Sequence, residues 1–235
     1  PGVWAVHRGS DPLFSRDKID FGQGLESLAE DGIIQTLANS NEMRTGLTSP
    51  IAPGAYAVHQ PSVQPIFKNG QMVFGNGLEA LAEDGSPTQL ARVLNTDPEF
   101  TDSGDFSIPV GAVDPAPAAS GQRYEFIIKA RAGDHLSLAT MLVQSNDLFF
   151  SFGPNGVALF EDNGEPRSGE LSAMLALWDA GTEVNEAPAA GPNQAPRQAS
   201  ADTGIVENAS VRLVEDEYEY PAAMDFVRVT VTPLP

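Results

Sequence analysis

The sequence predicts a mostly β protein, an antiparallel β-sandwich with short helices in its N-terminal part, and three observations carry that prediction. From about Phe106 onward apolar residues alternate with polar ones, as in Leu136, Leu138, Thr140 and Leu142, the pattern of strands with one buried face. Between these runs stand clusters of Gly, Pro and Asn, such as Gly153-Pro154-Asn155-Gly156 and Asn163-Gly164, at the spacing of hairpin turns. Near the N-terminus the period changes to that of a helix, in a segment that occurs twice. Two of the apolar alternations stop at carboxylates, one at Ser145-Asn146-Asp147 and one at Asp179, and acids gathered at strand ends suggest a hard-cation site.

The duplicated unit comes first in the chain. Residues 4–40 recur as residues 56–96: Ala5-Val6-His7 matches Ala57-Val58-His59, and Phe14 matches Phe67. The run from Phe21-Gly22 to Asp31-Gly32 matches that from Phe74-Gly75 to Asp84-Gly85. Each copy has a short strand ending in His, a turn rich in Pro, Ser and Gly, and a Gly-x-Gly-Leu-Glu-x-Leu-Ala-Glu-Asp-Gly segment. Leu25 and Leu28, or Leu78 and Leu81, fall three apart on one helical face, and Gly32 or Gly85 stands where a helix C-terminus takes positive φ. A second short helix is expected from Ile33 to Ala38 and from Thr88 to Leu94. Two copies are too few for a solenoid, so the pattern reads as partial duplication. Residues 1–49 bury too little surface to be stable alone and are expected to pack on a main domain spanning 50–235. The expected strands are Phe106-Ile108-Val110, Tyr124-Phe126-Ile128, Leu136 to Leu142, Val157 to Phe160, Leu171 to Leu177 and Phe226-Val227-Val229-Val231. Residues 184–204 show no periodicity and form a long loop, a feature that in a compact domain is functional or tied down by an ion.

Composition narrows the function. With 13 Lys and Arg against 32 Asp and Glu, the net charge of −19 argues against nucleic acid and anionic membrane surfaces as partners. No stretch approaches the roughly 20 apolar residues of a bilayer span, so no membrane insertion is expected. The absence of cysteine removes disulfides, thiolate metal sites and cysteine nucleophiles. No Gly-x-Ser-x-Gly elbow, His-Glu-x-x-His pair or phosphate-binding glycine loop occurs. The expectation is a protein that is not an enzyme; scattered carboxylates working as a glycosidase pair form the minor alternative.

The order Gly-Leu-Glu-x-Leu-Ala-Glu-Asp-Gly, then Leu136 to Asp147, then Trp178-Asp179-Ala180-Gly181-Thr182-Glu183, then a terminal Val-x-Val-Thr strand resembles the spondin N-terminal domain family. The resemblance covers about residues 50–235 and is nearer to exported bacterial members than to animal extracellular-matrix ones. It implies a C2-like β-sandwich, secreted and lying at the cell surface, that binds Ca²⁺ through acidic loop residues. Carried onto this chain, the ligands are Asp147, Asp179 and Glu183; animal members have a shorter acid where this chain has Glu183. The chemistry agrees, since Ca²⁺ takes six to eight oxygens and a turn at Ala180-Gly181 can bring Asp179 and Glu183 together. Capping of turns is the plain alternative for the same acids. Asn146, Asn185 and Glu186 are weaker candidates for the same ion. The acidic pairs Glu30-Asp31 and Glu83-Asp84 are expected to be solvated or bonded to backbone at helix ends. His7, His59 and His135 lack a second His or Cys at ligand spacing and are expected to hydrogen-bond to turns.

Two functions follow. In the first, a calcium-rigidified module presents its loops to an extracellular surface, a glycan or a matrix component, with Tyr218 and Tyr220 as candidate contacts. In the second, the chain is a structural subunit that assembles with itself into a filament or layer by strand pairing. The terminal strand from Phe226 to Thr232 is expected to be long, apolar and in need of neighbours. Contacts between copies are expected there or at Pro1 to His7.

Overall fold

A computed structural model describes residues 24–42 and 49–234, together with Gly2 and Gly22. His7 and the first strand of the first repeat lie outside the described residues. The protein is mostly antiparallel β-sheet with a few short helices. Among the described residues the main sheet has seven strands: β1 (Ile51–His59), β2 (Asp102–Phe106), β3 (His135–Leu142), β4 (Leu148–Ser151), β5 (Val157–Ala158), β7 (Ala176–Asp179) and β8 (Arg212–Leu213). They run in the order β2-β1-β3-β4-β7-β8, with β5 beside β3. A separate two-stranded sheet joins β6 (Gly169–Glu170) to β9 (Thr230–Val231). None of the described helices is long and apolar enough to cross a membrane.

The alternation in β3 sets the two faces. Leu136, Leu138 and Leu142 join Tyr56, Val58, Phe150 and Leu177 on one side, while Ala139 joins Ala55, Ala57, Phe149 and Trp178 on the other. The second side is covered by α3 (Leu78–Asp84) and α4 (Thr88–Asn95), whose Leu78, Leu81, Leu90 and Leu94 are buried there. Phe67 wedges between helices and sheet, its ring 5.3 Å from Phe149 and 4.7 Å from Trp178. Over the first side lie Val229 and Val231 around β9, the short helix α5 (Ala223–Phe226), and the Tyr124 and Ile128 side chains.

Both helix pairs of the repeat form as expected: α1 (Leu25–Asp31) with α2 (Gln35–Glu42), and α3 with α4. Their glycines show why. Gly77 opens α3 at φ 99°, and a Cβ there would stand 2.5 Å from the Leu90 nitrogen; Gly24 opens α1 at φ 100° with the same distance to the Leu37 nitrogen. A side chain at either position would push the two helices apart. The pairs differ in surroundings: no residue of α1 is buried, whereas α3 buries Leu78, Leu81, Ala82 and Glu83.

Several expected strands are corrected. The strand expected from Phe106 to Val110 ends at Phe106, where β2 finishes; Ile108 and Val110 are exposed, and Pro109 supplies no N–H. Tyr124–Ile128 belongs to no ladder among the described residues. Leu171–Leu177 is broken by a 3-10 turn at Ser172–Met174, leaving Ala176–Asp179 to pair. Phe226 closes α5, and only Thr230–Val231 pairs, on β6, so the terminal strand is short and has a neighbour. β4 is a further strand, short enough that its apolar run Leu148-Phe149-Phe150 shows no period.

Candidate metal centre

Antiparallel pairing of β4 with β7 sets Leu148 opposite Asp179, so Asp147 and Asp179 meet at one end of the sheet. The Ala180 N–H donates to the Asp147 carbonyl at 3.2 Å, and the chain then turns at Gly181, φ 70°. A Cβ on Gly181 would lie 2.8 Å from the Ala209 backbone, so the tight turn requires glycine. This turn aims the Thr182 and Glu183 N–H groups at Asp147 Oδ2, at 3.0 and 3.1 Å. The three acids expected from the sequence are thus neighbours, and all are buried: Asp147 and Asp179 at 0 % exposure, Glu183 at 3 %.

Their partners differ. Asp179 Oδ1 accepts from the Gly181 N–H at 2.6 Å, and Oδ2 from Arg212 at 2.7 Å and Asn185 at 2.9 Å. Glu183 accepts from the Gly204 N–H at 2.7 Å and from Asn146 Nδ2 at 3.2 Å. Among the described residues Asp147 Oδ1 has no hydrogen-bond partner. Three more buried orphan atoms occur among the described residues: Asn185 Oδ1, Thr203 Oγ1 and Trp178 Nε1. Asn185 is the residue bonded to Asp179, Thr203 precedes the glycine bonded to Glu183, and Trp178 precedes Asp179. Asp147 and Asn185 therefore leave unmet acceptor oxygens beside the acids, where ordinary proteins satisfy nearly all such groups, while the Trp178 indole leaves β7 on the opposite face from Asp179 and packs on Phe67.

The electrostatics have the same centre. Burial, then the charge of Asp179, pushes the Asp147 carboxyl up to about 7 despite the Glu183 and Thr182 N–H bonds. Burial also raises Asp179, with Arg212 as the chief opposing influence, and raises Glu183 against the Gly204 N–H bond. Asn146 buttresses the site, donating also to the Val184 carbonyl and accepting from the Glu186 N–H. Glu186 turns away and accepts from Asn193, holding the loop of residues 184–204.

Two acids join that the sequence left aside. Glu83, on α3, and Asp202, in the long loop, each bring a carboxylate oxygen to Glu183, so that the three oxygens lie within 4.8 Å of one another. Asp147 and Asp179 stand outside that tight trio. Glu83 is buried at 2 % exposure, and burial pushes it up to about 8 against a hydrogen bond from Thr182. Its repeat position at a helix end suggested a group solvated or bonded to backbone; docking of α3 on the sheet buries it instead. Arg212 had one signal, a cation alternating with apolar Val211 and Leu213, and Asp202 had only its place in the long loop.

The histidines sit elsewhere. His59 is fully buried, with Nε2 2.8 Å from Ser137 Oγ and Nδ1 2.8 Å from the Gln60 carbonyl, so both ring nitrogens are engaged. His135 lies opposite it across β1 and β3 and bonds the Asn155 carbonyl at 2.9 Å. No protein-family model matches the chain, and no curated protein sequence matches it.

Proposed function

We propose that this chain is an extracellular, non-enzymatic calcium-binding module, a C2-like β-sandwich of the spondin N-terminal type, that docks on a surface glycan or matrix component. The observation that carries the reading is Asp147 Oδ1, a carboxylate oxygen buried without a partner between two further buried acids. Leaving such an atom unmet costs about 1–3 kcal/mol, and more when it is charged. A divalent cation offsets that cost, and the carboxylates of Asp147 and Glu183 supply oxygen ligands of the kind that suits a hard ion.

Asp147 brings its free oxygen, and Glu183 keeps lone pairs beyond its two hydrogen bonds. Asp179 is shared with Arg212, and Arg212 is also held by both Glu207 oxygens at 3.0 Å. Glu207 is thus placed to retain the guanidinium when Asp179 turns to a cation. Gly181, Thr182 and Gly204 orient the three acids through backbone donors.

Calorimetric titration and thermal unfolding of the full chain, stripped by chelator and then supplied with Ca²⁺, test this. A hundredfold excess over Kd is worth about 2.7 kcal/mol, which is roughly 5–10 °C for a chain of this size. Mg²⁺ should give less, because it holds its waters and demands a regular octahedron. An unchanged midpoint across millimolar Ca²⁺ sinks the assignment.

A further inference from the structure

We propose that residues 185–204, most of the long loop, form a strap that a bound cation locks down over the sheet and α3, so that Ca²⁺ sets whether this segment is closed or open; the inference rests on the calcium reading given above. The strap has little apolar material with which to hold itself in place. From Asn185 to Gly204 it contains no Val, Leu, Ile, Met or aromatic residue. It meets the core through Ala195, half-buried against Ala52, Met141 and Val143. Segments with few buried apolar contacts open locally at small cost in free energy. What holds this one is polar, and its anchors converge on the acids. At its start Asn185 donates to Asp179 at 2.9 Å, and the Glu186 N–H donates to Asn146 at 3.2 Å. At its end the Gly204 N–H donates to Glu183 at 2.7 Å. Midway, the Ala189 N–H donates to the Gln144 carbonyl at 3.0 Å, and Gln198 donates to Asp84, the last residue of α3, at 2.9 Å.

Charge decides which way the strap moves. Asp202, on the strap, brings a carboxylate oxygen within 4.8 Å of one from Glu183 and one from Glu83 on α3. Asp202 is exposed, whereas Glu83 and Glu183 are buried. Like charges at that separation repel, and more strongly where water is scarce, so ionised acids in an empty site push the end of the strap away from the body of the protein. A cation on Glu183 reverses the sign, because it attracts Asp202. By fixing Glu183 and Asp179 it also holds in place the acceptors of Gly204 and Asn185. A ligand shifts an equilibrium only through its different affinity for the two states. Here Asp202 supplies the difference, since it reaches the ion only when the strap is down. Opening lifts Ala195 from Met141 and Val143 and frees the exposed Arg197 from Gln144, to which it donates at 3.1 Å. The protein's resistance to proteases at Arg197 then follows the calcium of its surroundings.

Hydrogen exchange read by mass spectrometry on the full chain, with Ca²⁺ calorimetry on the same samples, tests the strap separately from the binding. The expected result is a heat of binding together with exchange in residues 189–200 at least about tenfold slower in saturating Ca²⁺ than in chelator. Asp202→Asn replaces an exposed side chain and leaves the interior intact. This variant should still bind Ca²⁺ through the buried acids. In chelator its strap should exchange more slowly than the parent's, because one repelling charge is gone, and its response to Ca²⁺ should shrink to less than about threefold. A merely structural role for Asp202 would give the opposite sign in chelator. A heat of binding with slower exchange in β3 but none in the strap overturns the proposal and leaves the calcium reading intact, since the ion would then stabilise the fold without holding the loop. An Asp202→Asn strap that behaves as the parent's in both conditions overturns it too. Absence of any heat of binding defeats the calcium reading and the strap together.

Discussion

Asp147 shows what a single side chain does when the fold gives it half of its partners. Its Oδ2 is met by the Thr182 and Glu183 N–H groups and its Oδ1 by no partner among the described residues. Asp147→Asn keeps the shape and removes a buried charge, so without Ca²⁺ its unfolding midpoint should equal or exceed that of the parent, and the rise on adding Ca²⁺ should disappear. Gly204→Ala probes the second acid, because a Cβ there would stand 1.9 Å from Glu183 Oε2. That variant should bind Ca²⁺ at least about tenfold more weakly by calorimetry, a loss of roughly 1.4 kcal/mol. Acidity gives a third prediction. Burial lifts Asp147 to about 7 and Glu83 to about 8, above the roughly 4 of the unfolded chain, so the native state binds protons more tightly across that window. In chelator, stability measured by denaturant should therefore fall as pH rises from about 5 to 8, and saturating Ca²⁺ should flatten the fall. Asp147, Asp179 and Glu183 were legible in the sequence because they end strands or flank a glycine turn. Glu83 and Asp202 were not, since what brings them to Glu183 is the docking of a helix and the path of a long loop.

Helices and strands differ in how far their own residues determine them. The helix pairs were readable because their determinants are local: glycines at both ends and leucines three apart. β1 and β3 were readable because each alternates over a long run. β2 was not, since Asp102-Ser103-Gly104-Asp105 looks like a turn; it is a strand because β1 pairs with it, and Gly104 leaves room for the Tyr56 ring, whose hydroxyl oxygen would lie 3.1 Å from a Cβ there. Tyr124–Ile128 has strand residues but no ladder among the described residues, because pairing needs a second strand that periodicity cannot supply. The repeat allows a matched comparison between elements. Leu81→Ala empties a fully buried site under α3 and should cost about 2–5 kcal/mol in denaturant unfolding. Leu28→Ala, at the matching place on α1, should cost less than about 1 kcal/mol in the single chain. Equal losses would mean that α1 is seated on a sheet of its own.

For the molecule as a whole, the charge of −19 sets the conditions under which copies can meet. Repulsion falls as salt shortens the Debye length from about 30 Å at 0.01 M to about 8 Å at 0.15 M. Light scattering should accordingly show larger species in saline than in dilute buffer, and a mass independent of salt would speak against association through this acidic surface. The identical glycine geometry of α1–α2 and α3–α4, reached once with a sheet beneath and once with no residue of α1 buried, also bears on how the chain folds. A hairpin of helices that needs no sheet is held by contacts near in sequence, and such contacts form in microseconds. The β1–β3 ladder, by contrast, joins His59 to His135 and requires a long loop to close first. Folding should begin at α3–α4 and wait on that closure. In stopped-flow experiments Ala91→Gly, within α4, should slow refolding and leave the unfolding rate nearly unchanged, whereas Leu177→Ala, far along the sheet, should chiefly hasten unfolding. Emerging from the ribosome after β1 but ahead of β3, β4 and β7, the helix pair is a ready-made surface on which the rest of the sheet can condense.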